Sequence, residues 1–147
     1  MEPSPEAFAA HAFEYDSATL DKPLADFIQK FYTFSDDKEN PSSWAACFTE
    51  DAIMKKATTD VTGQISKVNL GSWKGQASRQ HVVAKVFPFS CQAPDEVMLH
   101  GVSKYIYDDS TTGEMAWAAR VHFKRFDDGK ILIDFYHIFP SAPPKAA

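Results

Sequence analysis

The sequence has few of the features that mark whole classes of protein. Its 147 residues include only 2 cysteines, Cys47 and Cys91, which are too few to hold together a secreted disulfide scaffold. No window approaches the ~18 apolar residues of a membrane-spanning helix, and the first residues lack the basic and apolar regions of a secretory signal. We therefore expect a cytoplasmic protein with reduced cysteines and no membrane contact.

Positive charge is also scarce. The 15 Lys and Arg residues face 20 Asp and Glu, for a net charge of −5, whereas a nucleic-acid-binding surface needs a clustered basic patch. We therefore expect no nucleic-acid partner. No two histidines are close in sequence and there is no glycine-rich phosphate loop, so the sequence predicts neither a metal site nor another cofactor.

Aromatic residues, by contrast, are plentiful: 12 Phe, 5 Tyr and 3 Trp make up 14% of the chain. A chain of this length can bury roughly 70% of its unfolded surface in one domain, and this aromatic supply suits both a core and an apolar cavity. The spacing of proline and of apolar residues predicts three parts: an N-terminal arm (1–22), one domain (23–140) and a mobile proline-rich tail (141–147).

Hydrophobic periodicity divides the domain into two halves. Helical spacing predicts helices at residues 24–34, 41–48 and 64–77, with a hairpin-like "TTDVTG" before the third. From His81 onward, alternation predicts strands at residues 81–89, 96–107, 114–126 and 130–139. Helices followed by antiparallel strands are typical of an α+β fold. We expect a cone-shaped, curved, mostly antiparallel sheet packed against three N-terminal helices, with an interior able to hold a ligand.

Alternation also assigns faces to the last two strands. On the third strand the odd positions, Met115 to Phe123, are apolar and should face the interior, while the even positions become polar. Ala116 and Ala118 on the outer face would allow close approach of a second subunit, so we expect a homodimer through that face. On the last strand the same rule puts His137 on the interior face.

Two segments resemble a known family: "SSWAACFTEDA" leads from helix to strand, and so does "ISKVNLGSWKGQASRQHVVAKVFPF". Both are similar to the SnoaL-like branch of the nuclear transport factor 2-like superfamily, and the resemblance covers the chain from about Leu24 to Pro140. It implies a cystatin-like α+β barrel. Members of this superfamily include isomerases, cyclases, dehydratases and binding modules without catalysis, so the fold does not fix the reaction.

Within that superfamily, the stretch "SRQH" (78–81) is similar to the segment of scytalone dehydratase that carries a catalytic histidine. The resemblance implies that His81 is a general base and that Asp36 falls near the Tyr-Asp pair of that enzyme. The tyrosine is absent here and most of the polar set that binds water there is missing. Dehydration of scytalone itself is therefore not expected, and the carboxylate and oxyanion pattern of ketosteroid isomerases is not matched either.

The candidate residues follow from these patterns. The catalytic candidates are His81, Asp36 and Tyr32, the last with its hydroxyl at the cavity mouth. The ligand-binding candidates are His137, Trp44, Trp73, Trp117 and Phe87, the last on the same interior strand face as His81 by alternation. Each has a structural alternative: a strand-start histidine bonded to backbone, an aspartate that ends a helix, and tryptophans that fill a core.

Two functions remain open. The first is a cofactor-independent enzyme that moves protons on a small hydrophobic or aromatic metabolite, by isomerisation, cyclisation or dehydration. The second is a binding or dimerisation module that holds an apolar ligand without turnover.

Overall fold

The computed structural model describes residues 2–61, 72–90 and 95–142. Its helices are α1 (Pro5–Ala10), α2 (Lys22–Ser35) and α3 (Pro41–Ala45). Its strands are β1 (Phe48–Lys56), β2 (Thr59–Asp60), β3 (Gln76–Pro88), β4 (Glu96–Tyr107), β5 (Thr112–Arg125) and β6 (Ile131–Pro140). The predicted α+β fold is confirmed, with a curved six-stranded sheet and helices packed against it.

The helices follow from local signals. Helix α2 carries Pro23 in its first turn, where a missing N–H costs nothing, and it buries an apolar stripe against the sheet. Helix α1 lies within the predicted arm 1–22: the side chain of Ser4 accepts a hydrogen bond from the backbone N–H of Ala7, and Pro5 opens the helix. The arm is thus partly helical, and it contacts α2 through His11 and Phe8.

The strand order is β2-β1-β6-β5-β4-β3, and every adjacent pair is antiparallel except β1 with β6. Most of the predicted helix 64–77 lies outside the described residues, but its C-terminal end is wrong, because Gln76 and Ala77 already belong to β3. The predicted hairpin is present in part: Thr59 and Asp60 pair with the end of β1. The predicted tail is described only at residues 141 and 142.

The face assignment of β5 is confirmed. Trp117, Ala119, Val121 and Phe123 are all buried, while the residues between them are partly or fully exposed. Strict alternation holds here because β5 pairs with β4 over Thr112 to His122 without a register shift.

Two β-bulges overturn the face predicted for two ligand-binding candidates. In β6 the pairing with β5 skips Asp134, so Tyr136 faces the interior and His137 the outer side. In β3 the pairing with β4 skips Ala84, so Phe87 is 46% exposed. An extra residue moves every later side chain to the opposite face. The interior positions predicted for His137 and Phe87 are therefore wrong.

The space between α2 and the sheet is filled by aromatic and aliphatic side chains of both. Ring contacts such as Phe27 on Phe123 and Phe31 on Tyr136 run through it, and the residual cavity there is about 10 Å³, room for one water at most. Among the residues described, no helix has the length and apolar character needed to cross a bilayer.

Candidate functional site

The carboxylate of Asp36, at the end of helix α2, is the centre of the candidate site. Its Oδ1 lies 2.6 Å from Nδ1 of His81, and its Oδ2 accepts a 2.6 Å hydrogen bond from the backbone N–H of the same histidine. The two side chains are 5% and 18% exposed. The structure therefore brings together two of the three predicted catalytic residues, 45 positions apart in the chain.

These contacts fix the tautomer of His81. An ionised carboxylate can only accept hydrogen bonds, so Nδ1 is the donor and, when the ring is neutral, Nε2 carries the lone pair. Within the described ranges, Nε2 of His81 makes no hydrogen bond. A histidine oriented in this way by an aspartate has its far nitrogen available as a base.

A second histidine, His11 from the end of α1, binds the other side of the same carboxylate. Its Nδ1 lies 2.7 Å from the backbone oxygen of Ala7, and its Nε2 lies 2.8 Å from Oδ2 of Asp36. Both partners are acceptors, so both nitrogens donate and His11 is an imidazolium. Burial lowers the pKa of His11, but the hydrogen bonds to Asp36 and Ala7 outweigh it and raise that pKa above its usual value. His11 is thus a fixed charge and has no lone pair with which to act as a base.

Arg79 supplies another positive charge. Its Nε lies 3.4 Å from Oδ1 of Asp36, and its guanidinium donates to the backbone oxygen of Ser35 and, at 2.7 Å, to Oγ of Ser72. The same group stacks on Trp73, 4.0 Å from the ring centroid. Arg79 therefore stabilises both the carboxylate and the end of α2, whose last carbonyls favour a cation.

The surroundings keep Asp36 ionised. Burial alone would raise the pKa of Asp36, but attraction to His81 and hydrogen bonds from His11 and His81 outweigh it, so the pKa lies well below its ordinary value. The carboxylate is consequently a poor proton acceptor at neutral pH. Its role in the site is to hold and polarise the two imidazoles.

Aromatic rings form one wall beside His81. The ring of Tyr32 lies 5.2 Å from that of His81 and 5.2 Å from that of Trp117. The hydroxyl of Tyr32 lies 3.1 Å from that of Tyr136, and burial raises the pKa of both phenols. The predicted location of the Tyr32 hydroxyl at a cavity mouth is wrong: Tyr32 is 2% exposed and its hydroxyl is neutral and inside the core.

A groove of about 800 Å³ borders the site. His11, Asp36, Arg79 and Tyr105 lie on its wall, so the groove runs along one side of the Asp36 cluster. Among the described residues no group of three His, Cys, Asp or Glu side chains is arranged to hold a metal.

The three tryptophans that were predicted to bind a ligand lie in different environments. Trp117 is a neighbour of His81, with 5.6 Å between the ring centroids. Trp73 supports Arg79. Trp44 packs in the core, 4.8 Å from the ring of Phe48, so the core interpretation fits it better than a ligand wall.

Sequence reasoning placed neither His11 nor Arg79 in the site. A signal for α1 was present, since "SPEA" combines a capping serine with proline at the first helical position. The contact between His11 and Asp36 spans 25 residues and has no local signal. The burial of Arg79, whose side chain is 6% exposed, depends on the docking of β3 beside the end of α2.

No protein-family model and no curated protein matches the chain. Among solved structures, a putative aromatic ring hydroxylase from Novosphingobium aromaticivorans is similar over 82% of this chain and 88% of its own, with a TM-score of 0.69 and 13% identity. ActVI-ORFA from Streptomyces coelicolor covers 81% of this chain and 95% of its own, with a TM-score of 0.66 and 16% identity. Nuclear transport factor 2 from Cryptosporidium parvum covers 88% and 100%, with a TM-score of 0.64 and 14% identity. The chain has the nuclear transport factor 2-like fold, as its sequence predicts.

Proposed function

We propose that the protein is a cofactor-independent enzyme that moves protons on a small hydrophobic or aromatic metabolite. The observation that carries this proposal is the 2.6 Å contact between Oδ1 of Asp36 and Nδ1 of His81, in a mostly buried setting that leaves Nε2 of His81 with a lone pair. Isomerisation, cyclisation and dehydration all begin with such a proton transfer.

Each residue has a role in this scheme. Nε2 of His81 takes a proton from a C–H bond next to a carbonyl group, and the bonding electrons move onto the carbonyl oxygen. Asp36 stabilises the imidazolium that forms. His11 and Arg79 lower the basicity of Asp36, so the proton stays on His81 and is available for return. Return to another carbon completes an isomerisation, and return to a departing hydroxyl group releases water.

The aromatic wall supports a planar substrate. Tyr32 and Trp117 place ring faces and edges beside His81, and apolar pockets with a few polar groups are the usual sites of small ligands. One structural neighbour is described as a putative aromatic ring hydroxylase, which is in keeping with aromatic compounds as ligands of this fold.

Hydrogen–deuterium exchange tests the proposal without knowledge of the substrate. A panel of aryl ketones is incubated with the protein in D₂O and exchange next to the carbonyl is followed by NMR. We expect exchange by the wild type and a loss of roughly 100-fold or more in His81→Ala, as for other general bases. His122→Ala is the matched control, because His122 also has an aspartate partner, Asp134 at 2.6 Å, but is 42% exposed.

A second candidate function is a binding module without turnover. The densely filled space between α2 and the sheet, with its residual cavity of about 10 Å³, favours a binding module because it leaves little room for a buried substrate there. If the protein is a binding module, the wild type causes no hydrogen–deuterium exchange in any ketone of the panel. His81→Ala then binds apolar ligands as well as the wild type does.

The outer face of the sheet supports a homodimer. Several exposed apolar side chains lie on it: Val82, Phe87, Ile106 and Phe139. Exposed apolar patches often mark protein contacts. Sedimentation equilibrium tests this, since Phe87→Glu should give a monomer if the dimer forms through this face. The cytoplasmic location stays a prediction.

A further inference from the structure

Lys56, the last residue of β1, is a cation on the interior face of the sheet. It follows Met54 on that face, and Met54 is 2% exposed. The cross-strand partner of Lys56 on β6 is Ile138, which lies opposite the buried Ala119 on β5. Residues directly opposite one another share a face of a sheet, so Lys56 points to the same side as these apolar residues.

The adjacent lysine has the opposite arrangement. Lys55 points to the outer side, where its Nζ lies 3.6 Å from Oδ1 of Asp60. The ammonium group of Lys56 has no ion pair and no hydrogen bond to any residue that the structure describes. A partly buried charge without a partner is unfavourable, so the presence of a lysine on this face needs an explanation.

A second cation, Arg79, lies near Lys56. Burial lowers the pKa of Lys56, and repulsion from Arg79 lowers it further. Three strands separate β1 from β3 in the sheet, so it is the curvature of the sheet that brings the two side chains together over the interior. Arg79 also influences the pKa of Tyr136, which is the cross-strand partner of Met54.

Positive charge is therefore in excess around the candidate site. His11, Arg79 and Lys56 are cations, and Asp36 is the anion that contacts the first two of them. Of these three cations, Lys56 is the one that lacks an anion within the part of the chain that the structure describes. An anionic ligand group would supply one.

The turn after β1 holds the backbone of Lys56 in place. Ala57 has a φ of 54°, a left-handed conformation that alanine adopts only where its surroundings impose it. Its N–H donates to the backbone oxygen of Ile138 at 2.9 Å, and Nε2 of His137 lies 2.8 Å from its backbone oxygen. A ligand of Lys56 would thus not have to order the backbone, which favours binding.

We propose that Lys56 binds a carboxylate group of the ligand, and that the ligand is therefore an ionised hydrophobic or aromatic carboxylic acid. For the hydrophobic or aromatic part of the ligand this inference rests on the proposed function. For the negative charge it rests on the place of Lys56 in the fold and on its lack of a described partner.

A carboxylate suits this place better than a phosphate group does. Taking an ion with a single charge out of water costs less than taking out a dianion, and Lys56 is only partly exposed. The ammonium group has three N–H donors and no acceptor, so it binds carboxylate oxygens directly. The partial exclusion of water strengthens the attraction between the two charges.

The lack of a partner makes a specific prediction about stability. Lys56→Met keeps a long, flexible side chain but removes a charge that is partly buried beside another cation. The ligand-free variant should therefore unfold at the same temperature as the wild type or at a higher one. A lysine with a structural role would instead give a lower Tm on replacement.

Binding of 2-naphthoate, with 2-naphthamide as the uncharged analogue, tests the site directly by isothermal titration calorimetry at pH 7. We expect the wild type to prefer 2-naphthoate, and we expect Lys56→Met to reduce that preference roughly tenfold, the value of one hydrogen bond to a charged group. Lys56→Arg keeps the charge and should keep most of the preference.

Lys55→Met is the matched control. It removes one positive charge from the neighbouring position of the same strand, but from the outer side, where Lys55 is paired with Asp60. A general effect of net charge on the binding of an anion would be the same in both variants. We expect Lys55→Met to keep the preference of the wild type.

The outcomes separate this inference from the proposed function. Failure of the wild type to prefer 2-naphthoate, an unchanged preference in Lys56→Met, or an equally large loss in Lys55→Met would each overturn the carboxylate site. A preference that depends on Lys56, combined with no ketone exchange by the wild type, would keep the carboxylate site and reject the enzyme. Ketone exchange that requires His81, without a preference for 2-naphthoate, would do the reverse.

Discussion

Replacing His11 tests whether the N-terminal arm is part of the site. His11 is a cation held between Asp36 and the backbone oxygen of Ala7, with side chains of His11 and Asp36 that are 8% and 5% exposed. His11→Ala removes the charge and both hydrogen bonds. His11→Gln is the informative companion, because an amide can still donate to Asp36 but carries no charge.

The magnitude follows from the burial of the pair. A hydrogen bond to a charged group contributes about 1.5–3 kcal/mol. Breaking an isolated buried ion pair costs about 3–5 kcal/mol, but Asp36 keeps His81 and Arg79 as partners after the substitution. We therefore expect His11→Ala to lower the free energy of unfolding by about 2 kcal/mol near pH 5.5, which corresponds to a fall in Tm of roughly 4–8 °C.

The loss should depend on pH with a definite sign. The pKa of folded His11 is raised above 6.5, so its contribution is fully present below that pH and disappears as pH rises through the folded value. The pKa of Asp36 is lowered from 3.8, so its contribution is present above that pH and is lost as pH falls. The difference between wild type and His11→Ala should thus be largest near pH 5–6.5 and shrink toward pH 9.

Urea unfolding at pH 5.5 and at pH 9 gives the free energy of unfolding of the wild type, His11→Ala and His11→Gln at each pH. His11→Gln should lose an intermediate amount at pH 5.5 and differ little from the wild type at pH 9. A loss in His11→Ala that is the same at both pH values would refute the charged state of His11. No loss at either pH would show that α1 does not dock through this residue.

Three further changes follow from the same contacts. Asp36→Asn leaves two buried cations without their anion, so we expect a loss of about 3–5 kcal/mol in unfolding free energy together with the loss of any ketone exchange. Tyr32→Phe breaks the 3.1 Å contact with Tyr136 and should cost about 1–2 kcal/mol by urea unfolding, and an unchanged stability would mean that water replaces the hydroxyl. Gly101→Ala would set a Cβ 2.0 Å from the backbone oxygen of Val82, so we expect a loss of soluble protein or a Tm at least ~10 °C lower. A normal Tm would show that β3 can shift.

The sequence predicts where the strands lie better than it predicts which side of the sheet each residue faces. Period-2 alternation identifies β5 and its buried residues because that strand is regular over its pairing with β4. The bulges at Ala84 and Asp134 break the alternation, and neither residue type signals a bulge. One inserted residue in each of the two strands was therefore enough to misplace Phe87 and His137.

The site was predicted only in part, because its contacts join residues that are far apart in the sequence. The resemblance at "SRQH" indicated His81 and pointed to Asp36, and the structure brings the two side chains together. His11 was missed because its contact with Asp36 joins the predicted arm to the end of α2.

The position of Asp36 explains why the arm matters to the site. A carboxylate at the C-terminal end of a helix faces the negative end of the helix dipole, which is unfavourable. Helix α2 nevertheless ends at Asp36, and positively charged side chains from outside the helix offset this unfavourable interaction. Arg79 binds the last turn through Ser35, and His11 arrives on α1, which is itself held to α2 by the side chain of Gln29, 2.6 Å from the backbone oxygen of Phe8. The orientation of His81 therefore depends on the docking of α1, so a change that releases the arm should disturb the base without touching it.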